Sequence, residues 1–559
     1  MAQDRAGRGI LEEIYPDVFD RKYFDSFHPP EIEPRTESIL RAYEQLIGEY
    51  PPAALEEKGT VPEALRQALA GIGIFGINIP QEYGGAGLAT SQYLKILETM
   101  ARRDMALALI PTAHLSIGLK GILLFGSDAL KKKYLPRAAS GEMIFAYALT
   151  EPGIGSDAQH IETRAELSAD GRHYVLNGQK TFITNGGYAG GLTVFAQLDP
   201  ARPGYLGAFV VETAWEGVSV GRPMKKMGLT ISSTTPIGLK GVRVPVENML
   251  GRPGDGFKIA MTILNYGRLG LGAASTGVMK QALADMTARA KGRIQFGVPI
   301  SRFELIQEKI VKARVRHFAA EALTHFTAHQ LADAPFADVA VESSHTKLYG
   351  TTRAWQTLYD ALQVAGGAGY LTTLPYEKRL RDFRVATIFE GTTEIHSIYP
   401  PLHVLRLLTG QLKERKTGKL RQLFFILCRM FRSSSLKLSF DDATMRAAVS
   451  LAEDSLKTIR RQLSLGMLHY GKEIVRHEFL LRRMTALSLD FYILLAMLAW
   501  INARRRQGEN AAEETRLLAY FVEEARDNHR RNRRFRRNRK EELHEMIFRD
   551  MEGKEKETS

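Results

Sequence analysis

Tyr147-Ala148-Leu149-Thr150-Glu151-Pro152-Gly153-Ile154-Gly155-Ser156-Asp157 is the point at which this 559-residue chain changes character. The residues before Thr150 close a strand. Pro152, Gly153 and Gly155 then impose a loop that can turn successive N–H groups toward an acceptor-rich ring or a phosphate, with the Ser156 hydroxyl beside them. Upstream, from about Pro34 to Phe145, stretches such as 36–50 and 61–72 carry apolar residues at three- and four-residue spacing, the helical period. Downstream, from near Met143 to about Gly256, short alternating or β-branched runs take over, as at 173–176, 192–196 and 241–244. Asp170-Gly171 and Asn177-Gly178 read as turn dipeptides. After Gly256 the helical period returns and persists to about Leu408, with Pro375 and Pro400-Pro401 read as breaks.

The expected fold is α+β and multidomain. An N-terminal arm (1–33) precedes a helical domain (34–145), a central antiparallel β-domain (146–256) and a four-helix bundle (257–410). A basic amphipathic connector (411–440) then leads to an extra C-terminal helical domain (441–559). The strict strand–helix alternation of a doubly wound nucleotide fold is missing.

Composition is globular, with 44% hydrophobic and 25% charged residues. The single cysteine, Cys428, excludes an internal disulfide framework and a cysteine-based metal site within one chain, and no metal is expected. The first twenty residues lack the apolar core of a secretory signal. The apolar stretch 491–501 is too short to span a bilayer and reads as a buried helix. The net charge of +14 is uneven. Residues 411–559 hold 32 Lys+Arg against 21 Asp+Glu, so the basic character belongs to the C-terminal region, which would meet any anionic partner.

Three further segments carry chemistry. Leu176-Asn177-Gly178-Gln179-Lys180-Thr181-Phe182-Ile183-Thr184-Asn185-Gly186 reads as a hairpin rejoining a strand. Period-two alternation would put Phe182 and Thr184 on one face, able to carry a flat cofactor or simply to pack a core. Arg293-Ile294-Gln295-Phe296-Gly297 follows a helix. Gln363-Val364-Ala365-Gly366-Gly367-Ala368-Gly369-Tyr370 permits close backbone approach and leads, through Arg381-Asp382-Phe383-Arg384, to Ile388-Phe389-Glu390-Gly391-Thr392-Thr393-Glu394-Ile395. There Glu390 lies between an apolar pair and a glycine, an environment expected to desolvate the carboxylate and strengthen it as a base.

In this order and spacing the segments resemble the acyl-CoA dehydrogenase family, closest to its very-long-chain branch, over about residues 36–410 and more loosely beyond. The resemblance implies FAD at the junction of the three domains. It also implies a glutamate, here Glu390, that removes the α-proton of an acyl-CoA while the β-hydrogen leaves as hydride to flavin N5. The product would be a trans-2-enoyl-CoA of fatty acid β-oxidation. Carried over by position, Leu149, Thr150 and Ser156 lie along flavin or substrate, and Phe182 and Thr184 cover the flavin ring. Arg293, Gln295, Phe296, Gln363, Gly366 and Gly367 contact the FAD of the facing subunit of a homodimer, and Thr392 and Glu394 lie near the cofactor. Asn265, Arg268 and Gly391 hold substrate or support the base. Departures from the pattern are phenylalanine for tryptophan at Phe182 and glutamate for glutamine at Glu304 and Glu394, where an ionised carboxylate cannot donate. Asn265 replaces an aspartate of the medium-chain branch.

The implied partners are acyl-CoA, an electron-transferring flavoprotein and, through the basic C-terminal region, an anionic membrane surface. Residues 416–438 mix Lys419, Arg421, Arg429 and Arg432 with Leu423, Phe424, Phe425 and Phe431, which suits an interfacial helix. The Arg-rich run 530–540 suits lipid phosphates or pairing with Glu541, Glu542, Glu545 and Asp550, and nucleic acid is the less favoured partner. The expected location is a bacterial cytoplasm with peripheral membrane attachment, or the mitochondrial matrix and inner membrane in a eukaryote. Competing readings are a flavin-containing scaffold or assembly factor, a nucleic-acid-associated flavoprotein, and an oxidase that passes electrons to oxygen.

Overall fold

The computed structural model describes residues 11, 21–332, 334–414, 424, 426–430 and 435–558. The chain forms two compact units, described separately below. Residues Pro29–Thr393 make the body of the first; the second joins Glu394–Ser559 to the segment ending at His28.

The first unit begins with helices, among them α1 (Pro34–Glu49), α2 (Glu63–Gly71), α3 (Thr90–Arg103) and α4 (Met105–Thr112). In α3 the residues Tyr93, Leu94, Ile96, Leu97, Met100 and Ala101 are buried, the three-and-four pattern of a helix with one face in the core. The sheet that follows runs β1 (Ile144–Ala148), β2 (Arg164–Leu167), β3 (His173–Thr184), β4 (Ala189–Gln197), β5 (Leu206–Glu212), β6 (Val218–Val220), β7 (Thr234–Pro245) and β8 (Met249–Gly254). Its order is β6-β7-β3-β2-β4-β5-β8, with β1 added alongside β4. The sheet is mostly antiparallel, but β1 pairs with β4 in parallel, a detail the expectation of an antiparallel domain lacks. Leu192 and Val194 of β4, Phe209 and Val211 of β5, and Val242 and Val244 of β7 form its core.

A helical bundle closes the unit: α5 (Gly256–Gly292), α6 (Glu304–Gln330), α7 (Ala340–Ala365) and the short α8 (Tyr376–Phe383). α5 is the central element, and its small residues set how closely its neighbours approach. A β-carbon at Gly272 would lie 2.5 Å from Thr346 Cγ2 and 2.8 Å from Thr324 Oγ1, and one at Gly277 would lie 1.9 Å from the Glu98 carbonyl oxygen. After α5 comes the hairpin β9 (Ile294–Gln295)/β10 (Val298–Pro299), whose chain reverses at Phe296 and Gly297, both at positive φ.

The second unit opens with α9 (Thr393–Glu414), which carries Pro400 and Pro401 inside it. The proline pair therefore does not break the chain, and the unit boundary falls earlier than residue 410. Helices α10 (Ala443–Tyr470), α11 (Glu478–Arg506), α12 (Ala512–Asn532) and α13 (Arg539–Thr558) follow. Residues 491–501 lie in α11 and are buried, as expected. The segment before Pro29 docks here: Phe24 meets Phe440 at 6.4 Å, Phe27 meets Trp500 at 6.1 Å, and Arg506 donates to the Phe27 carbonyl at 3.2 Å. Most of the expected interfacial stretch 416–438, including Lys419, Arg421, Leu423, Phe425, Phe431 and Arg432, lies outside the described residues. The run 530–540 is not one helix, because α12 ends at Asn532 and α13 starts at Arg539. Arg530 pairs with Asp527, Arg537 with Glu545 and Arg539 with Glu542.

Gly277→Ala tests the close approach of α5 to α3. Better helix propensity favours the change, but the added methyl forces the helices apart. The expected net loss is about 1–3 kcal/mol of stability, read as a lower denaturation midpoint.

Candidate active site

Glu390 and Gly391 follow the 3-10 turn Arg384–Thr387 and both take positive φ, +54° and +98°. For a glutamate this is an uncommon, strained backbone, held only where the surroundings enforce it. Two contacts do so: Lys347 Nζ, on α7, donates to the Gly391 carbonyl at 2.5 Å, and Thr393 Oγ1 donates to the Thr387 carbonyl at 3.2 Å. The carboxylate reaches α5 at Gly267. A β-carbon there would stand 2.5 Å from Glu390 Oε2 and 2.8 Å from Ile117 Cγ2, so only glycine leaves room. Ile117 belongs to the π-helical turn Ala113–Gly118, an irregularity common at functional sites.

The next residue on α5, Arg268, is buried and donates to Asn265 Oδ1 at 3.2 Å, which also accepts from Ser343 Oγ at 3.0 Å. Burial pushes the Glu390 carboxyl up to about 7, and the Arg268 and Lys347 charges restrain the rise. The raised value matches the expectation from sequence, but its source differs. Ile388 is 49% exposed, and it is α5 and the π-helical turn that press on the carboxylate. The hydroxyl of the half-buried Tyr147 on β1 is raised as well, by burial first and then by the Glu390 charge.

Just beyond Tyr147, β1 delivers Leu149 and Thr150 to the side of β3. Thr181 N–H donates to the Thr150 carbonyl at 2.9 Å and Lys180 Nζ to the Leu149 carbonyl at 3.1 Å. Asn177-Gly178 is not a turn. β3 runs unbroken from His173 to Thr184, and Asn177 Oδ1 instead accepts from the Gly241 amide at 2.8 Å. Asp170-Gly171 does turn, with Gly171 at φ +67°. Nor does simple alternation place Phe182. The β3/β7 register shifts between Lys180 and Ile183, and Phe182 takes φ +56°, which leaves its ring 64% exposed next to the half-buried Thr184.

An exposed aromatic face, two threonine hydroxyls and a loop with open space at Gly153 and Gly155 make a donor set and a platform that fit a flat, phosphate-bearing cofactor. Ser156 is exposed on that loop.

Arg293, Gln295 and Phe296 lie on and beside the β9/β10 hairpin, where Phe296 is 95% exposed. Gln363, Gly366 and Gly367 end α7 and are also exposed. These two groups neighbour each other, since Arg289 donates to the Ala365 carbonyl at 3.4 Å. Thr392 is half-buried beside the base, and Glu394, exposed, belongs to the second unit.

Among the described residues one trio, Glu98, Glu321 and His325, has metal-ligand spacing. Lys95 already supplies the cation there, 3.0 Å from Glu321 and 3.4 Å from Glu98, with Lys280 3.1 Å from Glu98.

Sequence reasoning assigned no role to Gly267, Lys347 or Ser343. A lysine within the buried face of a helix, as in His345-Thr346-Lys347-Leu348, was the available signal for Lys347.

The raised Glu390 carboxyl makes stability depend on pH. Its unfolded value is near 4.5 and its folded value about 7, so the proton it retains stabilises the native state fully below 4.5 and ceases to do so as pH rises through 7. Glu390→Gln, which fixes the neutral form, should leave the melting temperature nearly unchanged at pH 4.5. At pH 8 it should raise it by on the order of a few °C. Equal shifts at both pH values would show that the carboxylate is not desolvated.

The acyl-CoA dehydrogenase N-terminal, middle and C-terminal domain models match residues 39–142, 146–242 and 254–398. The mitochondrial very long-chain specific acyl-CoA dehydrogenase of Macaca fascicularis is 35% identical over 90% of this chain and 78% of its own length. A probable acyl-CoA dehydrogenase of Bacillus subtilis (strain 168) is 35% identical over 81% of this chain and 78% of its own. The crystal structure of an acyl-CoA dehydrogenase complexed with FAD from Bacillus anthracis superposes with a TM-score of 0.80 at 29% identity, covering 93% of this chain and 90% of that one. With three consecutive family domains matched between residues 39 and 398 and relatives 35% identical over most of the chain, the chain belongs to the acyl-CoA dehydrogenase family.

Proposed function

We propose that this acyl-CoA dehydrogenase oxidises long-chain acyl-CoA thioesters to trans-2-enoyl-CoA in fatty acid β-oxidation, with Glu390 as the base. The observation that carries the assignment is the half-buried Glu390, whose Oε2 is packed against Gly267 of α5 and whose carboxyl is pushed up to about 7, poised to be ionised yet basic at neutral pH. Glu390 takes the α-proton. FAD, when bound, accepts the β-hydrogen as hydride at N5. The Glu390 backbone N–H, in its left-handed turn, is the donor we assign to the thioester oxygen, where charge builds up as the proton leaves. Arg268 and Asn265 keep the base ionisable and orient the neighbouring substrate, while α5 and the π-helical turn keep water from the carboxylate. Leu149, Thr150, Ser156, Phe182 and Thr184 hold the flavin. Long chains are assigned by likeness to the very long-chain relatives, and the electrons pass to an electron-transferring flavoprotein.

Arg293, Gln295, Phe296, Gln363, Gly366 and Gly367 serve the cofactor of a second copy, and Thr392 and Glu394 are assigned to cofactor binding as well. Support comes from apolar exposure at Ile294, Phe296, Leu305, Tyr370 and Leu371, a surface suited to a homodimer. Membrane attachment rests on α13. Its Leu543, Met546, Ile547, Phe548 and Met551 are all exposed and follow the arginine-rich run 530–540, the pairing of apolar and cationic groups that suits an anionic bilayer. Either a bacterial inner membrane or a mitochondrial one would provide that surface.

Anaerobic titration with acyl-CoAs of graded length should bleach the flavin with long chains, and Glu390→Gln should slow bleaching by about 10²–10⁴-fold. An undiminished rate would remove Glu390 as the base. The acid limb of kcat/KM should fall near pH 7. Arg268→Gln removes the larger of the two restraining charges and should move that limb upward. Wild-type protein should float with phosphatidylglycerol vesicles at low salt, and Ile547→Asp/Phe548→Asp should not; sedimentation of the wild type without vesicles bound would end the membrane assignment.

A further inference from the structure

Lys180 and Glu151 form a buried ion pair that the catalytic reading does not use. Their side chains are 0% and 4% exposed, and Lys180 Nζ stands 2.7 Å from Glu151 Oε1. Around the pair almost every polar direction is engaged. Lys180 also donates to the Leu149 carbonyl at 3.1 Å. Glu151 accepts from the Thr163 amide at 2.9 Å and the Glu162 amide at 2.6 Å. Its own backbone exchanges hydrogen bonds with Ile154 at 3.0 and 3.1 Å, which closes the turn Glu151–Ile154. Burial by itself would raise the Glu151 carboxyl; Lys180 and the donors from Thr163 and Glu162 outweigh it and hold the group below the usual carboxylate range.

The position of the pair is what suggests a role. Glu151 is the first residue after Leu149 and Thr150, and the loop that follows it is exposed at Pro152, Gly153, Gly155, Ser156 and Asp157. Lys180 stands at the edge of the register shift that turns Phe182 outward. The same two side chains thus tie the exit of β1 to the irregular part of β3, with the Thr181–Thr150 backbone bond between them. A buried ion pair is weak evidence for stability, since apolar replacements of similar volume often do as well. What the pair adds to apolar packing is direction: hydrogen bonds from fixed donors to fixed acceptors on both the β1 exit and β3.

We infer that Lys180 and Glu151 are positioning residues for the flavin, a buried clasp that sets the spacing between the Leu149–Thr150 backbone and the Phe182–Thr184 edge. This rests on the proposed cofactor role of that edge. Neither residue touches the flavin; each acts through the backbone it holds.

The test uses the full-length protein with FAD removed and added back. In Glu151→Leu/Lys180→Met both charges go together, so no lone buried ion remains. The apoprotein should melt close to the parent. FAD affinity, followed by quenching of flavin fluorescence, should fall at least tenfold, about 1.4 kcal/mol. The visible circular dichroism of bound flavin should also change. Parent-like affinity and dichroism in this variant overturn the clasp. If it does not fold, the more conservative Glu151→Gln/Lys180→Met, which also leaves no lone buried ion, gives the same comparison: at least threefold weaker FAD binding supports the clasp, and unchanged binding overturns it. Phe182→Ala and Ser156→Ala separate the two readings. If they weaken FAD binding and the clasp variants do not, the clasp alone fails. If none of the variants changes FAD binding, the cofactor edge fails with it.

Discussion

A carboxylate kept out of water, but not out of reach of positive charge, is the constraint around which the first unit is arranged. Burial alone would leave Glu390 neutral and useless as a base; full pairing with a cation would leave it ionised and weak. The structure takes the middle course. Burial raises the Glu390 carboxyl and the Arg268 and Lys347 charges restrain the rise, while Arg268 also donates to Asn265 Oδ1 and Lys347 to the Gly391 carbonyl.

That compromise propagates outward. Gly267 must lack a side chain for the carboxylate to fit against α5, and other small residues of α5 bring α3, α6 and α7 close enough to exclude water. The positive φ at Glu390 is stabilised by contacts from α7 and from Thr393, so strain at the base is offset by the bundle rather than by the turn itself. The cofactor side follows the same plan. Phe182 is turned outward by a local irregularity in β3, at whose edge stands Lys180 of the buried Lys180–Glu151 pair. In both places an unusual backbone conformation sits at the surface of the site, and a buried lysine bonded to a backbone carbonyl lies behind it.

Much of this was legible in the residues. The change from helical to strand period near residue 145, the buried stretch 491–501, and the glycine after Glu390 all carry local signals, because periodicity and turn chemistry are properties of neighbours in the chain. Where local rules failed, a distant partner had overruled them. Asn177-Gly178 has the composition of a turn, yet pairing of Asn177 with Arg164 on β2 and of Gly178 with Leu239 on β7 keeps it in a strand. Pro400-Pro401 looks like a helix break, yet α9 continues through it.

The sequence by itself determined the order of the helical and strand regions, the family and the uneven placement of charge, and it singled out Glu390 as the candidate base, since each depends on residue type and short-range spacing. Only the tertiary structure decided what desolvates Glu390, which lysine supports its turn, and how Phe182 comes to face outward. Those depend on groups separated by dozens to hundreds of positions in the chain, such as Gly267, Ile117 and Lys347 around Glu390, and no local pattern records which of them will meet.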